Sequence, residues 1–198
     1  YRLGKNSEAL AQYAILAEMN ANPYQEEAAT RVAEICYDKG DFSCAIEGFY
    51  RLQALASGRE NTLIARLGIL RCSQALGRHQ AVIDVADMIL GDKPISEDMR
   101  IEALYGRAKA YIGLNQWKNA QPDLTTLSKE VRTAQGAEAK YLLAQSYFEL
   151  KDLDTAEAQI MEFTKMNTQQ QFWLARALIL LSDINRERGE YFQARQYL

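Results

Sequence analysis

The chain has 198 residues, 48% hydrophobic, 10% aromatic and 25% charged, with 23 Lys and Arg against 26 Asp and Glu for a formal charge of −3. This is the composition of a globular protein and excludes a disordered or fibrous one. It also argues against nucleic acid as a partner, because phosphate binding calls for a concentrated basic excess and no Lys/Arg run here exceeds two residues. Apolar runs such as Ala177–Leu181 fall far short of the roughly 20 residues that cross a bilayer, so no transmembrane segment is expected.

Small residues recur at Ala9, Ala45, Val82, Ala120, Ala156 and Ala194, at intervals of 36 to 38 residues. A period of that length marks stacked helical units, whose function lies on an extended concave surface and not in a catalytic pocket.

In chain order, residues 1–25 read as the second helix of a partial repeat, over Ser7–Ala21, behind a turn at Gly4. Repeat 26–62 carries Ala33 on its first helix, a turn at Gly40, and Phe42, Ala45 and Phe49 on its second. Repeat 63–100 turns at Gly77 and closes near Pro94, with Ser73, His79 and Val82 at its small and aromatic positions. In repeat 101–136, Ala103, Leu104, Ala108, Tyr111 and Leu114 form one apolar stripe at helical spacing. Asn115, a residue that tolerates the left-handed conformation, ends that helix, and a second stripe runs Ala120, Leu124, Leu127. Pro122 is expected in the first turn of this second helix, with the helix starting at about Asn119, since a missing N–H costs little there.

Repeat 137–174 repeats the design with Ala139, Leu143, Ala144 and Tyr147, a turn at Lys151, then Leu153, Ala156, Ile160 and Phe163. Residues 175–198 begin a further repeat that turns at Gly189, while Asp41 and Asp152 stand where each can cap a second helix. The expectation is a single all-α solenoid over 1–198, with about 11 antiparallel helices, forming a segment of a longer protein.

Cys36, Cys44 and Cys72 are odd in number and lack a Cys-x-x-Cys pair, so they read as small buried hydrophobes. Cys36 and Cys44 fall on the two helices of one repeat, which leaves a disulfide in an oxidising compartment open. His79, the sole histidine, sits at the start of a second helix with no nucleophile turn nearby, and Leu76-Gly77-Arg78 is a helix turn and not a phosphate cradle. An enzyme, a cofactor and a metal site are therefore not expected.

The repeats resemble the tetratricopeptide repeat family. Ala108, Tyr111, Trp117 and Ala120 occupy the motif positions in one unit, and Ala144, Tyr147, Leu153 and Ala156 in the next. Ser73, His79 and Val82 depart from the aromatic, aromatic and alanine of the motif. The family period is usually 34, so the surplus residues, in stretches such as Ala56–Asn61 and Met166–Gln171, imply longer second helices or longer loops between repeats. This lengthened form is similar to bacterial cell-envelope proteins of the Tol-Pal-associated and outer-membrane assembly type. That similarity leans toward a periplasmic or outer-membrane-associated location over the cytoplasm.

The resemblance implies a right-handed superhelix whose first helices line a concave face, with ligand contacts at positions two, five, nine and twelve of each repeat. A peptide-binding strip is thereby expected from Arg71, Lys109 and Gln145 at position nine, Tyr105 and Tyr141 at position five, and Gln74 and Phe148 at position twelve. The cations would hold a carboxylate and the aromatics a side chain. The partner is expected to be a protein or peptide. Two alternatives stand beside this reading: the charges of successive first helices pair with one another on a solvated face, or the segment is a structural spacer packed on other domains of its chain, as in a cytoplasmic sensor.

Overall fold

The computed structural model describes residues 6–19 and 22–197. Eleven helices and no strand occur among the described residues. They are α1 (Asn6–Glu18), α2 (Gln25–Asp38), α3 (Phe42–Leu55), α4 (Arg59–Ala75), α5 (His79–Gly91), α6 (Glu97–Gly113), α7 (Trp117–Leu127), α8 (Ala134–Glu149), α9 (Leu153–Lys165), α10 (Gln171–Glu187) and α11 (Tyr191–Gln196). The chain gathers into two compact units, Tyr1–Gly106 and Arg107–Leu198. No described helix is long and apolar enough to cross a membrane.

The turns show why these helices pair. Gly40, Gly77, Asn115, Lys151 and Gly189 have φ of +75°, +65°, +58°, +64° and +80°. After each of them the next N–H reaches back five residues, as from Arg78 to the Ser73 carbonyl and from Asp152 to the Tyr147 carbonyl, closing the last turn of the first helix. An L side chain in the left-handed region costs about 1 kcal/mol or more, and Lys151 adopts it nonetheless because the helix hairpin demands that geometry. Asp41 and Asp152 then start the second helices by accepting from the N–H groups of Cys44 and Thr155 at 3.0 and 3.1 Å. The expected turn at Gly4 and the expected helix end at Ala21 lie outside the described residues.

The surplus of the repeat is found in the first helices. The helices α4, α6 and α10 each have 17 residues, against 14, 13 and 13 for α3, α5 and α9. Of the stretches expected to lengthen second helices or loops, Ala56–Asn61 gives its last three residues to the start of α4, which begins at Arg59, while residues 166–170 form a loop between α9 and α10 as expected. Pro122 also departs from expectation. Its helix opens at Trp117, whose indole N–H donates to Asn115 Oδ1 at 2.8 Å, so the proline is the sixth residue and leaves the Lys118 carbonyl without its usual donor. This helix ends after 11 residues.

Close packing falls on the expected small residues: Ala33, Ala45, Ala108, Ala120, Ala144 and Ala156 are all buried. In the first unit the Phe49 ring lies directly on Gly68, where a Cβ would come within 2.4 Å of it. Cys36 and Cys44 correct the thiol reading. Their Cα atoms are 5.7 Å apart across the α2/α3 turn and the sulfurs form a disulfide, while Cys72 is a free, buried thiol whose pKa is raised by burial.

Candidate ligand groove

In the second unit α8 and α10 lie side by side. Tyr141, Gln145 and Phe148 of α8 face Phe172, Arg176 and Ile179 of α10 across an open groove of about 490 Å³, whose lining also includes the acids Glu149 and Asp183. Helical spacing produces both walls: the three α8 residues recur at four and three positions, as do Phe172, Arg176, Ile179 and Asp183 on α10.

Arg176 is the electrostatic centre. Its guanidinium carbon lies 4.9 Å from the Tyr141 ring centroid, 5.8 Å from that of Trp173 and 6.0 Å from that of Phe172. It donates to the Tyr141 hydroxyl at 3.2 Å. Tyr141 in turn stacks on Trp173 at 5.7 Å, and Phe172 meets Trp173 edge-on at 5.0 Å. Arg176 is exposed and pairs with no carboxylate among the described residues. Phe172 is 64% exposed on the same wall.

The two expected cations are engaged. In the first unit Arg71 donates from Nε and a terminal nitrogen to both Glu102 oxygens at 2.6 and 2.8 Å, and this hydrogen bonding raises its pKa. It borders a smaller groove with Tyr37, Ile64 and Leu67. In the second unit Lys109 Nζ donates to Glu138 at 2.6 Å. Both pairs join residues about one repeat apart, as do Lys151 with Glu187, Arg188 with Asp154 and Glu157, and Glu26 with Ser57 and Asn61. Pairing between successive first helices thus occurs, with partners other than equivalent positions.

Of the expected strip, Tyr141, Gln145 and Phe148 come together in one groove. Tyr141, expected to meet a ligand side chain, is only 7% exposed with its hydroxyl on Arg176. Tyr105 is half-buried, and Gln74 is exposed with its amide over Gly106. Sequence reasoning passed over Arg176 and Phe172. A signal for Arg176 existed, since it holds position two of the repeat that begins at 175.

The family model of the tetratricopeptide repeat matches residues 105–162, the segment that supplies the α8 wall. No curated protein matches the chain. Among solved structures, the chain is similar to a MamA RS-1 ArsTM double mutant, at 16% identity, with 87% of this chain and 89% of that chain covered and a TM-score of 0.69. It is also similar to BtubC (BKLC) from P. vanneervenii, at 16% identity, covering 98% and 85% with a TM-score of 0.64. A tetratricopeptide repeat protein from Parabacteroides merdae gives 17% identity, 98% and 84% coverage and a TM-score of 0.56. The fold is therefore the all-α, tetratricopeptide-like helical repeat, and the family match supports the resemblance carried by the motif residues.

Proposed function

We propose that this chain is a protein-binding scaffold of tetratricopeptide-like repeats that captures an extended peptide in the α8/α10 groove. The observation that carries the reading is Arg176, a guanidinium on three aromatic rings that forms no ion pair among the described residues, in a groove with exposed Phe172 and Ile179 on one wall. An acidic group of the peptide meets Arg176 and an apolar side chain lies against Phe148, Phe172 and Ile179. The activity is binding and not catalysis. The Cys36–Cys44 bridge supports a periplasmic or envelope-associated location, because such bonds persist in oxidising compartments. Selection from a phage-displayed random peptide library tests the proposal: wild type enriches sequences with Asp or Glu near an apolar residue, and Arg176→Gln loses that acidic preference. No enrichment by wild type, or the same sequences with both proteins, refutes it.

The spacer reading has its own observation, the pairing of Arg71 with Glu102 and Lys109 with Glu138. Those pairs remove two cations from any ligand strip, and they favour a structural role for the surfaces around Arg71 and Lys109.

A further inference from the structure

The first unit has an apolar groove on its second helices, remote in sequence from the peptide groove. Tyr50, Gln53 and Ala54 of α3 form one wall, Asp84 and Met88 of α5 the other, and Ile69 of α4 with Val85 the floor, enclosing about 460 Å³. Tyr50 is 48% and Met88 49% exposed, so two large apolar side chains stand in solvent over a buried aliphatic floor. Such volume suits a few anchoring side chains, and the flexible thioether of Met88 adapts to their shape.

The charge of the rim selects the occupant. No Lys or Arg lines this groove. Asp84 is exposed and, among the described residues, accepts the neutral amide of Gln80 at 2.8 Å and pairs with no cation. Arg66 reaches the Met88 carbonyl at 3.4 Å but is held by Asp92 at 3.0 Å, and Arg51, next to Tyr50, pairs with Glu18 at 3.5 Å. We infer that this groove docks a basic amphipathic helix of a partner protein, with an aliphatic residue seated between Tyr50 and Met88 and a Lys or Arg one turn away on Asp84. A second copy of the chain is the poorer occupant, since it would bring the same acid to the face.

The probe is a fluorescein-labelled helical peptide of about 15 residues, with leucine on one stripe and lysine one turn from it, titrated by anisotropy. A matched peptide with glutamate for lysine is the comparison. The inference expects saturable binding of the basic peptide, weakened at least about tenfold, or roughly 1.4 kcal/mol, by Asp84→Lys and by Tyr50→Ala with Met88→Ala. Arg176→Gln is expected to leave it unchanged, which separates this surface from the peptide groove. The methyl resonance of Met88 shifts on titration. Equal binding of both peptides, indifference to Asp84→Lys, or no shift at Met88 overturns the inference. So does dimerisation of the chain alone that Met88→Asp abolishes in sedimentation.

Discussion

Gly68→Ala tests whether the Phe49 ring truly rests on the α4 backbone. A Cβ at Gly68 would lie 2.4, 2.4 and 2.5 Å from three atoms of that ring, about 1 Å inside ordinary carbon contact. Phe49 is buried, and the ring can yield only by shifting α3 against α4. Overpacking of this kind costs about 1–3 kcal/mol, and the triple overlap places it at the upper end. Alanine is intrinsically the better helix former by about 1 kcal/mol, which offsets part of the loss. The expected result is a net destabilisation of about 2 kcal/mol, read as a lower urea midpoint by circular dichroism. Gly91→Ala, at the end of α5 with nothing within 4 Å of its Cβ, is expected to be neutral or mildly stabilising. In a Phe49→Ala background Gly68→Ala loses its penalty, because the ring is gone. An undiminished midpoint for Gly68→Ala, or a penalty that survives Phe49→Ala, refutes the packing.

Asp123 is buried and receives two hydrogen bonds from Arg107 at 2.7 and 2.8 Å; Asp123→Ala removes both charge-assisted bonds and is expected to cost about 1.5–3 kcal/mol in urea unfolding. Reduction of Cys36–Cys44 reopens a loop of sequence separation 8 and is expected to cost about 2–3 kcal/mol, measured as the difference in midpoint with and without dithiothreitol, while native Cys72 stays unreactive to a thiol reagent. Hydrogen bonds from Asn61 and Ser57 hold the Glu26 carboxylate below its ordinary value of 4.5. The folded carboxylate thus takes up its proton less readily than the unfolded one, so its contribution is present above pH 4.5 and is lost as pH falls through the lower folded value. Glu26→Gln is expected to flatten the stability profile in that acid window, and an unchanged profile contradicts the role of these bonds.

The repeat was legible because its signals are local. Small residues at a constant interval marked the closest backbone approaches, and Gly40, Gly77, Asn115 and Lys151 marked turns whose left-handed geometry admits few residue types. The start of α7 was misread because Pro122 was taken to lie in the first turn, whereas the Trp117 indole on Asn115 opens the helix earlier. The groove was half legible: Tyr141, Gln145 and Phe148 follow from helical register alone. Which cations remain available does not follow, because Arg71 and Lys109 meet acids about a repeat away, Glu102 and Glu138, and those partners are fixed by stacking and not by local spacing. The Cys36–Cys44 bridge was an open alternative in the sequence, since two helical cysteines eight residues apart meet only if the turn between them directs them together.

Site-specific crosslinking tests the binding groove most directly. A photoreactive benzoylphenylalanine replaces Ile179, which is exposed on the groove wall, or Lys118, which is exposed on α7 of the same unit. Each protein is irradiated with a peptide selected by the wild type. Binding in the α8/α10 groove predicts a covalent adduct from position 179 and none from position 118, with the 179 adduct lost on Arg176→Gln. A peptide that binds but crosslinks only from position 118, or crosslinks from 179 equally with and without Arg176, contradicts it.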